Sequence, residues 1–321
     1  MKTVLVVGGF GFLATNIIKY IDEHLSADYQ VIVFDKFAQH PHGVVFSSVK
    51  KVYAGDFSDE MFINSIFKEN HIDLVIHALS TTVPALSLNA RYDIESNLLP
   101  TINLFDIMVR HNVNDIVYIS SGGAVYGKSM NLPYREDMDV MPISSYGIVK
   151  LTIEKYLHQY SELNGLRSLI LRLSNPYGPY HYSMKQGICN VAMRKAVDNE
   201  TFEVWGTGDA KKDFIFVTDF VDILFRLLSK NISGEVFNIG SGEVVSVNSI
   251  LSKIKKIDAG FKWINKEASQ YDVQHFELDL TKLRKCIGDY PFTKMDDGLD
   301  KTYKWLKKNK DVETQHNHNI I

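Results

Sequence analysis

The sequence predicts an α/β fold, a doubly wound parallel sheet followed by a smaller mixed C-terminal domain. Three observations carry the prediction. The chain opens on four apolar residues, Val4 to Val7, that break into Gly8-Gly9-Phe10-Gly11 and then into a helical pattern. Short apolar runs and helical patterns alternate across short loops as far as Leu173, the rhythm of parallel strands joined by crossover helices. Beyond Ser174-Asn175-Pro176-Tyr177-Gly178-Pro179 the alternation fades into shorter pieces.

Val4 to Val7 suit a strand buried on both faces. Gly8 and Gly9 permit a tight turn, Gly11 lets the backbone approach a pyrophosphate, and Ala14 lets the following helix pack closely. That helix, from about Phe12 to Leu25, aims N–H groups and its positive dipole end at the phosphates of a dinucleotide. Tyr29 to Asp35 reads as a second strand ending in an acid. Asp35 can accept hydrogen bonds from ribose hydroxyls and repels a 2′-phosphate, which favours NAD over NADP, while Lys36 beside it weighs the other way.

Val49 to Ala54 is a third strand, closed by Gly55-Asp56, and a helical pattern runs from Asp59 to Asn70. Asp56 either caps locally or contacts adenine. Ile72 to His77 is a fourth strand leading into Ser80-Thr81-Thr82, with His77 read as a satisfied strand-end histidine. Asn89 to His111 carries Leu98, Ile102, Phe105, Met108 and Val109 at helical spacing, interrupted by Asn97 and Asn103. Asp115 to Ser120 is a fifth strand, Ser144 to Leu163 a helix, and Arg167 to Leu173 a sixth strand. Helical pieces at Ile188 to Asp198, Val217 to Leu228 and Val247 to Lys256 then alternate with extended runs at Phe202 to Trp205 and Val236 to Ile239. The expected division is a dinucleotide-binding domain over 1–175, with sheet contributions from about 214–240, a mainly substrate-binding domain over 176–306, and a polar tail over 307–321.

With 321 residues and 45% hydrophobic content, the chain can bury a large core. Its net charge of −3 and lack of a basic block give no support for nucleic-acid binding. Cys189 and Cys286 are too few for a disulfide framework and too far apart for a metal motif, which fits a reducing compartment. No basic leader or long apolar span is read from the sequence, so the expectation is a cytoplasmic protein without membrane or metal partners. His316 and His318 in the tail read as a solvated terminus rather than a metal site.

Tyr146 and Lys150 stand four residues apart on a predicted helix, so their side chains share one face. A free phenol has a pKa near 10, and lowering it by roughly three units takes about 4 kcal/mol of extra stabilisation of the phenolate. The Lys150 ammonium and a positively charged nicotinamide ring would supply it, making Tyr146 a base for a sugar hydroxyl.

In their order along the chain, these residues resemble the extended short-chain dehydrogenase/reductase family, in particular its nucleotide-sugar epimerase and dehydratase branch. The resemblance rests on Gly8-x-x-Gly11-x-x-Ala14, Gly55-Asp56, Asn97, Ser120-Ser121, Val125-Tyr126-Gly127, Tyr146-x-x-x-Lys150, Arg172-x-x-Asn175-x-Tyr177-Gly178-Pro179 and Phe237-Asn238-Ile239-Gly240-Ser241-Gly242. It runs from Lys2 to about Leu306. It implies a Rossmann-type fold, a tightly held NAD and a nucleoside-diphosphate sugar, with UDP-sugars favoured. By the same resemblance, NAD is held by Gly8, Gly11, Phe12 and Leu13, by Asp35 and Lys36, and by Asp56 and Phe57. Ala78, Leu79 and Ser80, Asn97 and Ser120, Tyr146 and Lys150, and Pro176 and Tyr177 complete its site. Thr82, Asn175, Lys212 and Phe276 fall to the substrate. The long helices at 89–111 and 144–163 would pair with their copies as a four-helix homodimer interface.

Four positions depart from the family pattern. The usual Ser or Thr four residues before the tyrosine of Val-Tyr-Gly is Gly122. Ser121 is the nearest hydroxyl and replaces it if Gly122-Gly123 bulge or twist the strand end; otherwise the site relies on Tyr146 or a water. The acid that dehydratases and decarboxylases add next cannot come from Gly123 or Ala124, which leaves epimerisation, since that needs only one proton acceptor and reversible hydride storage. The two arginines that clamp the diphosphate fall on Lys212 and, counting back from Asp272, on Ser269; a lysine lacks the bidentate fork, and Lys211-Lys212 also reads as a solvated face. Phe276 stands where epimerases gate sugar size, and core packing explains a phenylalanine there equally well. The expectation is therefore an NAD-dependent 4-epimerase with Tyr146, Lys150 and Ser121 as catalytic residues. A nucleotide-sugar reductase and a non-catalytic binding protein are the alternatives.

Overall fold

The computed structural model describes residues 1–82, 87, 89–128, 132–267 and 275–310. They divide into two compact units, one of 1–128, 136–173 and 225–237, the other of the described residues within 129–135, 174–224 and 238–321.

The first unit begins with β1 (Lys2–Val7), α1 (Phe12–His24), β2 (Tyr29–Asp35), β3 (Val49–Ala54), α2 (Glu60–Glu69) and β4 (Leu74–His77). A short α3 (Ala90–Asp93) runs through a π-helical turn, Ile94–Leu98, into α4 (Leu99–Arg110). Then follow β5 (Asp115–Ser121), a single turn α5 (Gly122–Val125), α6 (Ser145–Asn164) and β6 (Arg167–Leu173). The apolar patterning fixes nearly every boundary. The exception is Asn89 to His111, where the expected single helix is interrupted by the π turn; there the Asn97 side chain binds Thr81, and the Thr101 hydroxyl donates back to the Asn97 carbonyl.

Between 174 and 310 the chain forms β7 (Asn175–Tyr177), α7 (Ile188–Val197), β8 (Thr201–Trp205), β9 (Lys211–Phe216), α8 (Val217–Ser229) and β10 (Glu235–Ile239). It continues with β11 (Val244–Ser246), α9 (Val247–Ile257), β12 (Lys262–Lys266), β13 (His275–Phe276), α10 (Thr281–Ile287) and α11 (Met295–Lys308). The second unit holds a mixed sheet in which β9 pairs with β11, β13 and β7, and a two-stranded β12–β8 ribbon. Its core gathers Tyr177, Met193, Phe214, Leu251 and Leu299. Lys307 and Lys308, assigned from sequence to a polar tail, close α11, whereas His316 and His318 lie outside the described residues.

The seven-stranded sheet has the order β10-β6-β5-β4-β1-β2-β3. The strand order reverses between β1 and β4, which pair in parallel, and the crevice beyond their carboxyl ends is where open α/β sheets bind ligands. Val4, Val6, Val31, Val33, Val75 and Ile76 are fully shielded from solvent, as central strands covered on both faces must be.

An ion pair is sealed into this sheet. Arg172 on β6 meets Glu154 on α6, Nη2 to Oε2 at 2.8 Å, with side chains 5% and 4% exposed. Ser120 Oγ donates to Glu154 Oε1 at 2.5 Å, and Arg172 Nη1 donates to the Tyr126 hydroxyl at 2.9 Å. Every polar atom of the carboxylate is engaged, which is the condition under which a buried pair is tolerated.

His40, His77 and His181 are buried as well, and burial pushes them down from 6.5 to about 4, about 3 and about 4. Their stability contribution follows from the sign of that shift. The unfolded chain takes up protons near pH 6.5 while the fold does not, so stability is complete above that value and falls as pH drops toward 4. Thermal midpoints measured across this window should decline, and His40→Gln should flatten the decline. Glu154→Gln leaves the Arg172 charge uncompensated and should cost about 3 kcal/mol or more in chemical denaturation.

Candidate active site

Gly8 ends β1 at φ +78, and a Cβ there would stand 2.8 Å from the Leu79 Cα, so only glycine fits. Gly11 is the N-cap of α1 with extended geometry and no side-chain cap, and a Cβ on it would meet the Gly8 carbonyl at 3.2 Å. This cradle, open at a helix N-terminus that begins with Phe12 and Leu13, fits the pyrophosphate of a dinucleotide. Asp35 closes β2, and its carboxylate accepts the Phe10 N–H at 3.0 Å and the Phe37 N–H at 3.3 Å. Burial raises its pKa against those bonds. Lys36 turns outward over the Phe37 ring, 4.8 Å from its centroid.

Asp56 is exposed and accepts from the Ser58 N–H and hydroxyl, both at 2.8 Å, which lowers its pKa, so the local turn is made and the carboxylate still faces solvent. Phe57 is buried against Phe34 and His77. Beyond β4, Ala78 and Leu79 are half-buried and Ser80 is exposed, its hydroxyl donating to the Thr82 carbonyl at 2.8 Å.

A small cavity opens at this end of the sheet, lined by Leu79, Ser80, Thr82, Asn97, Tyr146 and Lys150 together with His77, Thr101, Tyr118, Val149 and Ile153. Asn97 is buried, and its amide ties down Thr81: Oδ1 accepts the Thr81 N–H at 2.9 Å and Nδ2 donates to its hydroxyl at 2.7 Å. His77 Nε2 contacts the Thr101 hydroxyl at 2.9 Å, as a satisfied strand-end histidine does, but its Nδ1 and the Tyr118 hydroxyl are buried without a partner among the described residues.

Tyr146 and Lys150 do share one face of α6. The Ser121 hydroxyl hydrogen-bonds the Tyr146 phenol, and Ser120 turns the other way to Glu154. The strand does not bulge at the glycines: β5 runs through Ser121 and passes directly into the helical turn of α5, with Gly122 buried. Lys150 Nζ donates to the Ile119 carbonyl at 2.9 Å and lies 4.8 Å from the centroid of the Tyr118 ring.

Burial dominates at both Tyr146 and Lys150. Burial pushes the phenol up to about 12 despite the Ser121 hydroxyl, and burial pushes Lys150 down to about 8 despite Glu154. The ammonium is committed to a backbone carbonyl and stands 5.7 Å from the centroid of the Tyr146 ring. Desolvation of the charged form is the largest influence on each group.

In the second unit, Asn175 Nδ2 donates to the Asp213 carbonyl at 2.7 Å, and Lys212 is half-buried on β9, in register with Val245 and Phe276. Asp213, fully buried, accepts the N–H groups of Ser241 and Gly242, and burial raises it to about 6. Phe276 is buried against Tyr134, with centroids 6.0 Å apart. Tyr177 points into the core beside Phe216, and Pro176 is half-buried. Ser269 and Asp272 lie outside the described residues.

Sequence reasoning missed Ser87, Asp93, Tyr118 and Glu154. Glu154 repeats the four-residue spacing of Tyr146 and Lys150 and so was readable; Ser87 acts across 59 positions and gave no local signal. Among the described residues there is no group of three or more His, Cys, Asp or Glu able to hold a metal, and no helix long and apolar enough to cross a membrane.

Comparison with known proteins agrees with this geometry. A protein of Methanocaldococcus jannaschii, assigned provisionally as a UDP-glucose 4-epimerase, is 31% identical over 311 residues, 95% of this chain and 99% of the relative. The dTDP-4-dehydro-6-deoxyglucose reductase of Escherichia coli is 29% identical over 95% of this chain and 97% of its own. The crystal structure of the Thermotoga maritima UDP-glucose 4-epimerase with UDP-glucose is 27% identical, with a TM-score of 0.87 over 96% of this chain and 99% of that one. Residues 4–240 match the profile of a family whose cofactor is NAD, and the glycine cradle fits that cofactor. With its parallel sheet, its glycine turn and its Tyr146–Lys150 pair, this chain belongs to the NAD dependent epimerase/dehydratase family.

Proposed function

We propose that the chain is an NAD-dependent 4-epimerase of a nucleoside-diphosphate sugar, with UDP-sugars favoured, inverting C4 through a transient 4-keto sugar. The observation that carries this reading is the Ser121–Tyr146–Lys150 grouping with no acid added beside it: a Cβ on Gly123 would meet nothing within 4 Å. Elimination of water needs a further acid or base there, whereas epimerisation needs one proton acceptor.

NAD, when bound, would take a hydride from the sugar carbon and return it, and its positive ring favours a nearby phenolate. The phenol oxygen of Tyr146 takes the hydroxyl proton as the carbon is oxidised and gives it back after the keto sugar turns over. Ser121 donates to that oxygen and stabilises its charged form. Lys150, held by the Ile119 carbonyl, supplies a positive charge one helical turn away. From a phenol near 12, ionisation at pH 7 calls for about 7 kcal/mol, at 1.36 kcal/mol per unit. Gly8, Gly11, Asp35 and Lys150, all of the first unit, are assigned to the cofactor. Thr82, Asn175 and Lys212 are assigned to the nucleotide sugar; Lys212 would hold the diphosphate as a point charge rather than a fork.

The E. coli relative favours a second reading, a nucleotide-sugar reductase. Asp35 counts against the NADP that such enzymes commonly exchange. Purified protein arriving without dinucleotide, and oxidising NADPH with a keto sugar, would replace the epimerase reading with this one.

Tyr146→Phe should lower C4 inversion, followed by NMR with a panel of UDP-sugars, by about a thousandfold while bound NAD and the thermal midpoint stay unchanged. Near-normal turnover would remove Tyr146 as the base. We also infer a homodimer through the helical segment 89–111 and α6, which leave Tyr92, Leu99 and Ile148 about half exposed. Light scattering should give twice the chain mass, and Ile148→Lys should give the monomer.

A further inference from the structure

The backbone N–H of Tyr146 is one of the donors in the first turn of α6 that helix geometry leaves without a partner. The N-cap Ser144 serves Gly147, at 3.1 Å, and does not reach Tyr146. Ser87 does: its Oγ accepts the Tyr146 N–H at 2.7 Å. A hydroxyl that accepts there must send its own proton elsewhere, and Ser87 donates to Asp93 Oδ2 at 2.5 Å. Asp93 is 1% exposed, and its second oxygen has no hydrogen-bond partner among the described residues. With its proton directed to Asp93, the Ser87 hydroxyl has a lone pair aimed at the Tyr146 N–H.

Asp93 ends α3 where the π turn begins, and Asn97 at the far side of that turn holds Thr81. One short segment therefore fixes both Thr81, next to the cavity residue Thr82, and Ser87, at the backbone of Tyr146.

We propose that Asp93 and Ser87 are positioning residues for Tyr146, a side-chain relay that sets the backbone of the proposed base relative to the loop after β4. The effect on chemistry rests on the proposed epimerase reading, and the hydrogen-bond relay can be measured without it.

The test uses the full-length, NAD-loaded protein with Ser87→Ala, Ser87→Thr and Asp93→Ala. Amide hydrogen exchange at Tyr146 and steady-state kinetics with UDP-glucose and UDP-galactose are read side by side. Ser87→Ala and Asp93→Ala should speed Tyr146 exchange at least tenfold. They should lower kcat by roughly 10- to 100-fold with KM within about twofold, the loss expected from a misplacement near 1 Å. Ser87→Thr, which keeps the hydroxyl, should restore both. Wild-type exchange in Ser87→Ala, or a loss of kcat that follows the loss of folded protein and is not rescued by threonine, would overturn the relay. If the wild-type protein turns over no UDP-sugar, the epimerase reading fails and the exchange measurement still decides the relay.

Discussion

The ion pair between Arg172 and Glu154 is the constraint from which the catalytic end of the first unit is built. It joins β6 to α6, and through Ser120 and Tyr126 it gathers the end of β5 and the turn that follows. Because both charges are removed from water, neither can shift without leaving the other unpaired. The helix face that carries Tyr146 and Lys150 is thereby held in one rotation against the sheet. Four residues further along the same face, Glu154 also supplies the negative charge that partly offsets the desolvation of Lys150.

That placement has a cost. The interior that orients Tyr146 and Lys150 also disfavours the charge on each, so the phenol moves away from the value that proton transfer at neutral pH needs, while the ammonium comes closer to neutrality. Orientation is supplied by the fold, whereas much of the electrostatic assistance must come with the ligands.

Much of the fold was legible. Buried parallel strands announce themselves as apolar runs, and β2, β3 and β6 end where the pattern ends. The glycine turn and the Tyr146–Lys150 spacing were equally readable, since both are local. What sequence could not give was anything that depends on distant segments meeting. The sign of the Tyr146 shift depends on burial, and Ser87 and Asp93 belong to a loop and a broken helix whose relation to α6 has no local signature. The π turn itself shows in sequence only as Asn97 interrupting an apolar pattern, and its cause lies in the partners of Asn97 across the chain.

The contact between Gly8 and Leu79 reaches further than the shape of one turn. Their backbones approach so closely that a single methyl group would not fit, which makes the bend after β1 and the exit from β4 two sides of one wall. Neither the bend nor the exit can be reshaped in isolation, because any side chain added at Gly8 has to displace the backbone of Leu79.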